Sequence, residues 1–151
     1  MADSHTRMPI VVTREGGLRF AAQIRSHRVL TDQSVNAGGE DSAPSPIELI
    51  SAALGSCVAL YVHEFCRSRG LPDDGLHVEV MPHNATSAKR IDALEVTVRL
   101  AAELPAHAME MLERVARSCP AHNTLAHGAA VFFTFQTQAN AHASSFLETS
   151  S

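Results

Sequence analysis

The chain has 151 residues, 45% of them apolar and 19% charged, with a formal net charge of -4, the size and balance of one soluble globular domain with its own core. An acidic balance with no Lys/Arg cluster excludes a general nucleic-acid binder. The opening "MADSHTRMPI" lacks the basic segment and apolar stretch of a secretory signal, and the apolar run over residues 47–62 is short and interrupted for a membrane span. The expectation is therefore a cytoplasmic protein with no membrane partner. In a reducing compartment the three cysteines do not form a disulfide framework. They are reactive, metal-binding or simply buried.

In chain order, "PIVVTREGGLRFAAQI" reads as two strands around a turn at Gly16 and Gly17, and "HRVLT" as a third strand. "DQSVNAGGEDSAPS" carries no periodicity and reads as a long loop, of the kind that rims a site. "SPIELISAALGSCVALYVHEFCRSRG" has the signals of a long helix: Ser45 as N-cap, Pro46 behind it, Glu48 three residues on, and Gly70 after the closing arginines. Nearly every face of this helix is apolar or small over 47–62, which predicts burial on most sides. "LHVEVMP" and "IDALEVTVRLAAE" read as two strands, the second with Leu94, Val96, Val98 and Leu100 alternating. "LPAHAMEMLERVARSC" is an amphipathic helix with Ala108, Met111 or Leu112, Val115 and Cys119 on one stripe, stopped by Pro120. "AAVFFTFQTQ" alternates as a last strand, and about 139–151 read as a flexible tail. The order β-β-β-α-β-β-α-β predicts a single α+β domain over 1–151 with a mainly antiparallel sheet and a long buried central helix.

Cys57 lies near the middle of the long helix, next to Gly55, Ser56 and Ala59. Small neighbours suit access to a thiol, and they equally suit close helix packing around a small core residue. Cys119 continues the apolar stripe of its helix. "PAHNTL" after it also allows a new helical turn with Cys119 near the N-cap, where free N–H groups stabilise a thiolate. Two cysteines so placed suggest a redox pair: a peroxide oxidises one to a sulfenic acid, and the other condenses with it. Cys66 falls on roughly the opposite helix face from Cys57 and reads as a core or surface thiol. Ser45-x-x-Glu48 is a capping box, which gives Glu48 a structural role ahead of a catalytic one. His122, three residues after Cys119, offers a Cys–His dyad as a further candidate. The nine histidines show no metal-ligand spacing.

"SPIELISAALGSC" followed about sixty residues later by "CPAHNTL" resembles the OsmC/Ohr family, the osmotically inducible and organic-hydroperoxide-resistance proteins. The "GGEDSAPSP" approach, the two strands between the helices and the aromatic last strand extend the likeness over most of the chain. The resemblance implies an intertwined α+β homodimer and a thiol peroxidase of organic hydroperoxides in oxidative or osmotic stress defence. It maps the peroxidatic thiolate onto Cys57 and the resolving thiol onto Cys119. The disulfide is returned by an external dithiol, of lipoyl type in one branch, with no metal or bound organic cofactor. An N-terminal arginine orients the peroxide; Arg19, Arg25 and Arg28 are candidates, with Arg25 favoured. The glutamate that holds it in the family directly follows the helix-opening proline. Here Ile47 occupies that position and the acid is Glu48, rotated by about 100° around the helix. That departure sustains an alternative, a stress-associated module that binds an apolar small molecule and uses its cysteines structurally or as redox sensors.

Overall fold

The computed structural model describes residues 8–137. Strands β1 (Val11–Gly16), β2 (Arg19–Ile24) and β3 (His27–Thr31) form an antiparallel meander in the order β1-β2-β3. The register runs Val12↔Ala22 and Ala22↔Val29, with a bulge between Arg14 and Gly16 that leaves Glu15 without a cross-strand partner. Gly17 carries the turn at φ +50°, in the left-handed region where a Cβ is penalised. A loop with one 3-10 turn, Val35–Ala37, leads to helix α1 (Pro46–Arg69). A second antiparallel pair, β4 (His77–Asn84) and β5 (Ile91–Arg99), follows, and helices α2 (Ala106–Arg117) and α3 (Pro120–His127) complete the described residues.

The long loop is organised by one carboxylate. Asp32 is 2% exposed. Its Oδ1 accepts from Gln33 N, and its Oδ2 accepts from Glu40 N, Ser42 N and Ser42 Oγ at 2.7–3.2 Å. The Ser42 hydroxyl and amide bonds, with those of Gln33 and Glu40, lower its pKa from 3.8 to about 2 against the opposing effect of burial. Gly39 is required here by space. A Cβ on it would stand 2.0 Å from Gln33 O.

The capping box forms at the start of α1: Glu48 N donates to Ser45 Oγ at 3.3 Å, and Ser45 N donates to Glu48 Oε2 at 2.7 Å. Gly70 ends the helix at φ +63°, its N–H and that of Leu71 returning to carbonyls of the last turn. Leu54, Val58, Val62, Phe65 and Cys66 recur at helical spacing and form the core with Leu112 of α2 and with Cys119. Val78 and Val80 of β4 and Leu94 and Val98 of β5 close it from the sheet side. Each such side chain withdrawn from water contributes on the order of 1.5–3 kcal/mol.

Gly55 lies under β4. A Cβ there would meet Val80 Cγ2 at 3.1 Å, so this glycine serves the close approach of helix and sheet.

Two expectations need correction. Within one chain α1 is buried along a single stripe, while Ala52, Ala53, Ser56 and Leu60 on its other side are exposed; Ile47 and Ile50 continue the stripe but stay 47% and 38% exposed at the open N-terminal end of the helix. The reason is that β4–β5, α2 and α3 pack on that stripe, whereas no extensive packing joins the β1–β3 sheet to the helices or to β4–β5. The helix as a whole is also longer than the apolar run at its centre. Its 24 residues are long and apolar enough, by length and composition, to cross a membrane. Its stripe of core contacts makes it the central helix of this fold.

The expected last strand over 129–138 is the second correction. Residues 129–137 have no regular structure, and Gln138 and the expected tail over 139–151 lie outside the described residues. The alternation is present, since Phe133 and Phe135 stack with ring centroids 6.4 Å apart. Phe132, Phe133 and Phe135 are nevertheless 79–90% exposed. A strand is defined by its hydrogen-bonded neighbour, and this segment has none among the described residues. The observed order is therefore β-β-β-α-β-β-α-α, still α+β and antiparallel.

Candidate functional site: the Cys57–Cys119 thiol pair

Helix α1 presents Cys57 at its centre, one residue before Val58 of the core stripe and therefore at the edge of that stripe. It is half-buried. Cys119 reaches the same place from the junction of α2 and α3. Ser118 closes α2, Pro120 forbids its continuation, and Cys119 adopts the extended backbone of an N-cap (φ -64°, ψ 144°) for α3. Its Sγ accepts from His122 N at 3.3 Å, and Cys57 lies close enough to help raise the Cys119 thiol pKa. All three cysteines are free.

The two sulfurs are not equivalent. Cys119 is 0% exposed, and burial pushes its thiol pKa up. The His122 N–H opposes that shift, while the neighbouring Cys57 supports it. Of the pair, only Cys57 meets solvent. Cys66, also 0% exposed, is raised by burial and then by the charge of Asp73, and is an inert core thiol. It sits nine residues and more than two turns from Cys57.

The other sequence candidates lie elsewhere. Glu48 is engaged by Ser45, whose amide and hydroxyl bonds lower its pKa, and no arginine pairs with it among the described residues. Arg25 sits at the exposed tip of the β2–β3 hairpin at φ 55°, on the sheet that has no extensive packing on α1. One chain therefore does not bring it to the thiols. Arg19 and Arg28 converge on Glu15: Arg28 bonds its Oε1, and Arg19 Nε lies 3.7 Å from its Oε2. The carboxylate that gathers N-terminal arginines in this chain is Glu15, from the bulge of the same hairpin. Sequence reading missed it because a bulge breaks the alternation that assigns faces. Asp32 was missed as well; an Asp opening a Gly- and Ser-rich stretch is its only sequence signal.

His122 meets Cys119 through its backbone N–H, while its Nδ1 is buried without a partner. Its side chain stands between two apolar clefts. One, of about 490 Å³, lies between the start of α1, β5 and α3, with Ile47, Ile50, Leu94 and Leu125 in its walls and Lys89 and Arg90 at its rim. The other, of about 1050 Å³, runs between β5 and α2. Neither cleft is walled by Cys57 or Cys119.

The fold is α+β, with a long central helix that carries one free thiol and a second free thiol capping α3. Residues 39–133 match the family described as OsmC-like protein, and the chain belongs to that family. No curated protein matches it. Among solved structures it is similar to a Psychrobacter arcticus 273-4 protein named for osmotic stress induction and detoxification response, at 24% identity over 76% of this chain and 85% of that one, TM-score 0.70. An OsmC like protein from Mycoplasma pneumoniae gives 14% identity over 81% and 89%, TM-score 0.69. An organic hydroperoxide resistance protein OsmC from Legionella pneumophila gives 13% over 78% and 89%, TM-score 0.59. At these identities the likeness is one of fold.

Proposed function

We propose that the protein is a cytoplasmic thiol peroxidase that reduces organic hydroperoxides in stress defence, with Cys57 attacking and Cys119 resolving. The observation that carries this is the asymmetric thiol pair: a partly exposed Cys57 packed on the same core as a fully buried Cys119 whose pKa burial raises. In the first step the Cys57 thiolate attacks the terminal peroxide oxygen. The O–O bond breaks, an alcohol leaves after protonation, and Cys57 becomes a sulfenic acid. In the second, Cys119 Sγ attacks Cys57 Sγ, and its own proton leaves with the displaced hydroxide as water. A disulfide forms, which an external dithiol reduces by exchange. Family membership and the hydroperoxide-resistance name of the Legionella pneumophila structure support the substrate class. No metal or bound organic cofactor enters these steps.

The exposed far side of α1 with Ala52, Ala53 and Leu60, the sparsely packed β1–β3 sheet and the exposed phenylalanines support an intertwined homodimer. The cation that activates the peroxide then comes from a partner's hairpin, and the Arg19–Glu15–Arg28 cluster takes precedence over Arg25 and Glu48. The test is mass spectrometry after one equivalent of cumene hydroperoxide. A Cys57–Cys119 disulfide is expected, and dithiol-dependent peroxide consumption is lost in Cys57→Ser. No disulfide, with consumption unchanged in Cys57→Ser, overturns the proposal.

A second reading, an apolar-ligand module, draws on the cleft of about 490 Å³ and on Glu48's engagement with its cap. It predicts a co-purifying lipid and slow alkylation of Cys57.

A further inference from the structure

Helix α3 has eight residues; at its N-terminus the Cys119 sulfur accepts from His122 N at 3.3 Å, and Asn123 Nδ2 donates back to Ser118 O at 3.1 Å. Helices this short do not persist through propensity alone, and an N-cap is worth a sizeable part of their stability. In the proposed function the same sulfur is the one that joins Cys57. It has two partners on two elements, and redox chemistry changes one of them.

We propose that the Cys57–Cys119 disulfide is a conformational switch: its formation uncaps α3 and loosens the wall that this helix contributes to the neighbouring apolar cleft. The inference rests on the pairing of Cys57 with Cys119, but not on a hydroperoxide being the oxidant. Closing two unbonded sulfurs to an S–S bond of about 2.05 Å brings them together by an ångström or more. That motion draws Cys119 Sγ toward α1 and away from the His122 amide. The sulfur also loses its proton and shares its electron density with a second sulfur, so it becomes a poorer acceptor than the weak one it already was. The His122 N–H is then left without a partner at the first turn.

The consequences follow the helix. His122, Leu125 and Ala126 line the cleft between α1 and β5, and His122 Nδ1, buried without a partner, adds no anchor. With its cap gone, α3 opens on the side of Ile47 and Ile50, and a dithiol gains access to the oxidised pair. Reduction reverses the motion. The dithiol attacks Cys57 Sγ, the S–S bond breaks, and Cys119 leaves as a thiolate toward the His122 N–H, which stabilises the leaving group and restores the cap. The second thiol of the reductant then completes the exchange, and two electrons and two protons pass to the protein.

The switch is tested on the full chain by hydrogen–deuterium exchange over residues 119–127, reduced and after oxidation with diamide. Diamide takes two hydrogens from the thiol pair and leaves the disulfide. Exchange at His122 and Asn123 is expected to be about fivefold faster in the disulfide form, the scale of one lost cap. Cys119→Ala, uncapped and not cross-linked, reproduces the acceleration without oxidant. Cys119→Ser keeps an acceptor and stays slow with or without diamide. Equal exchange in the reduced and disulfide forms overturns the switch, as does a Cys119→Ala variant that exchanges as slowly as the wild type or a failure of diamide to join Cys57 to Cys119. A disulfide that forms with diamide but not with cumene hydroperoxide, and still loosens α3, refutes the peroxidase and leaves the switch standing.

Discussion

Replacing Gly39 by alanine isolates the packing of the loop that leads into α1. The new methyl would lie 2.0 Å from Gln33 O, 2.6 Å from Gln33 C and 2.9 Å from Asp32 Oδ1, against the 3.5–4.0 Å or so at which carbon contacts become favourable. Relief requires the Gln33 carbonyl to retreat by more than an ångström. That carbonyl accepts from Asp41 N at 3.0 Å, and the residue before it is pinned by four hydrogen bonds. Overpacking of this kind costs roughly 1–3 kcal/mol, and the strained bond to Asp41 adds about 1 kcal/mol. The expected loss is about 2–4 kcal/mol, read as a lower urea midpoint with an unchanged m-value. Gly17→Ala is the control. Its Cβ has open space and only a φ of +50° to oppose it, a cost of about 1–2 kcal/mol. The packing account is refuted if Gly39→Ala unfolds within about 0.5 kcal/mol of the wild type, or above the control.

Asp32 gives a pH signature. Its folded pKa of about 2 lies below the ordinary 3.8, so its stabilising effect is complete above about pH 4 and is lost as pH falls through 2. Asp32→Asn lowers stability at neutral pH and flattens that acid slope in urea titrations; a slope unchanged from wild type refutes the assignment. At the thiols, iodoacetamide modifies Cys57 before Cys119 or Cys66, since those two are 0% exposed, and peptide mapping that finds Cys119 first contradicts the proposed division of roles. Ser45→Ala removes the cap of α1 and costs about 1 kcal/mol. Glu48→Gln keeps a capping side chain and leaves peroxide consumption unchanged, whereas loss of turnover there restores Glu48 to the catalytic machinery. Leu112→Ala, at 4% exposure in the core, costs about 2–5 kcal/mol in thermal or urea unfolding.

Local chemistry was legible in the sequence wherever it is decided by residues close in the chain. Ser45, Pro46 and Glu48 specify the start of α1 and Gly70 its end, because caps act within one turn. Pro120 behind Cys119 fixes a helix junction with the thiol at an N-cap, again a matter of neighbouring residues. Periodicity assigned β5 and the core stripe of α2 in the same way.

What depends on a second element was not legible. Gly55 fits both a ligand and a close neighbour, and only the position of Val80 on β4 decides for the neighbour. The side of α1 that is covered depends on where β4–β5, α2 and α3 pack. The aromatic alternation over 129–137 names a strand but cannot supply its partner. Arg19 and Arg28 meet Glu15 through a bulge that no alternation rule registers. The proximity of Cys57 and Cys119, sixty-two residues apart, exists because α1 and the α2–α3 junction share one core. Sequence alone determined two thiols and the helix signals around them; the tertiary packing decided that they share one core and which of them is shut off from solvent, because proximity and desolvation are properties of space and not of order along the chain.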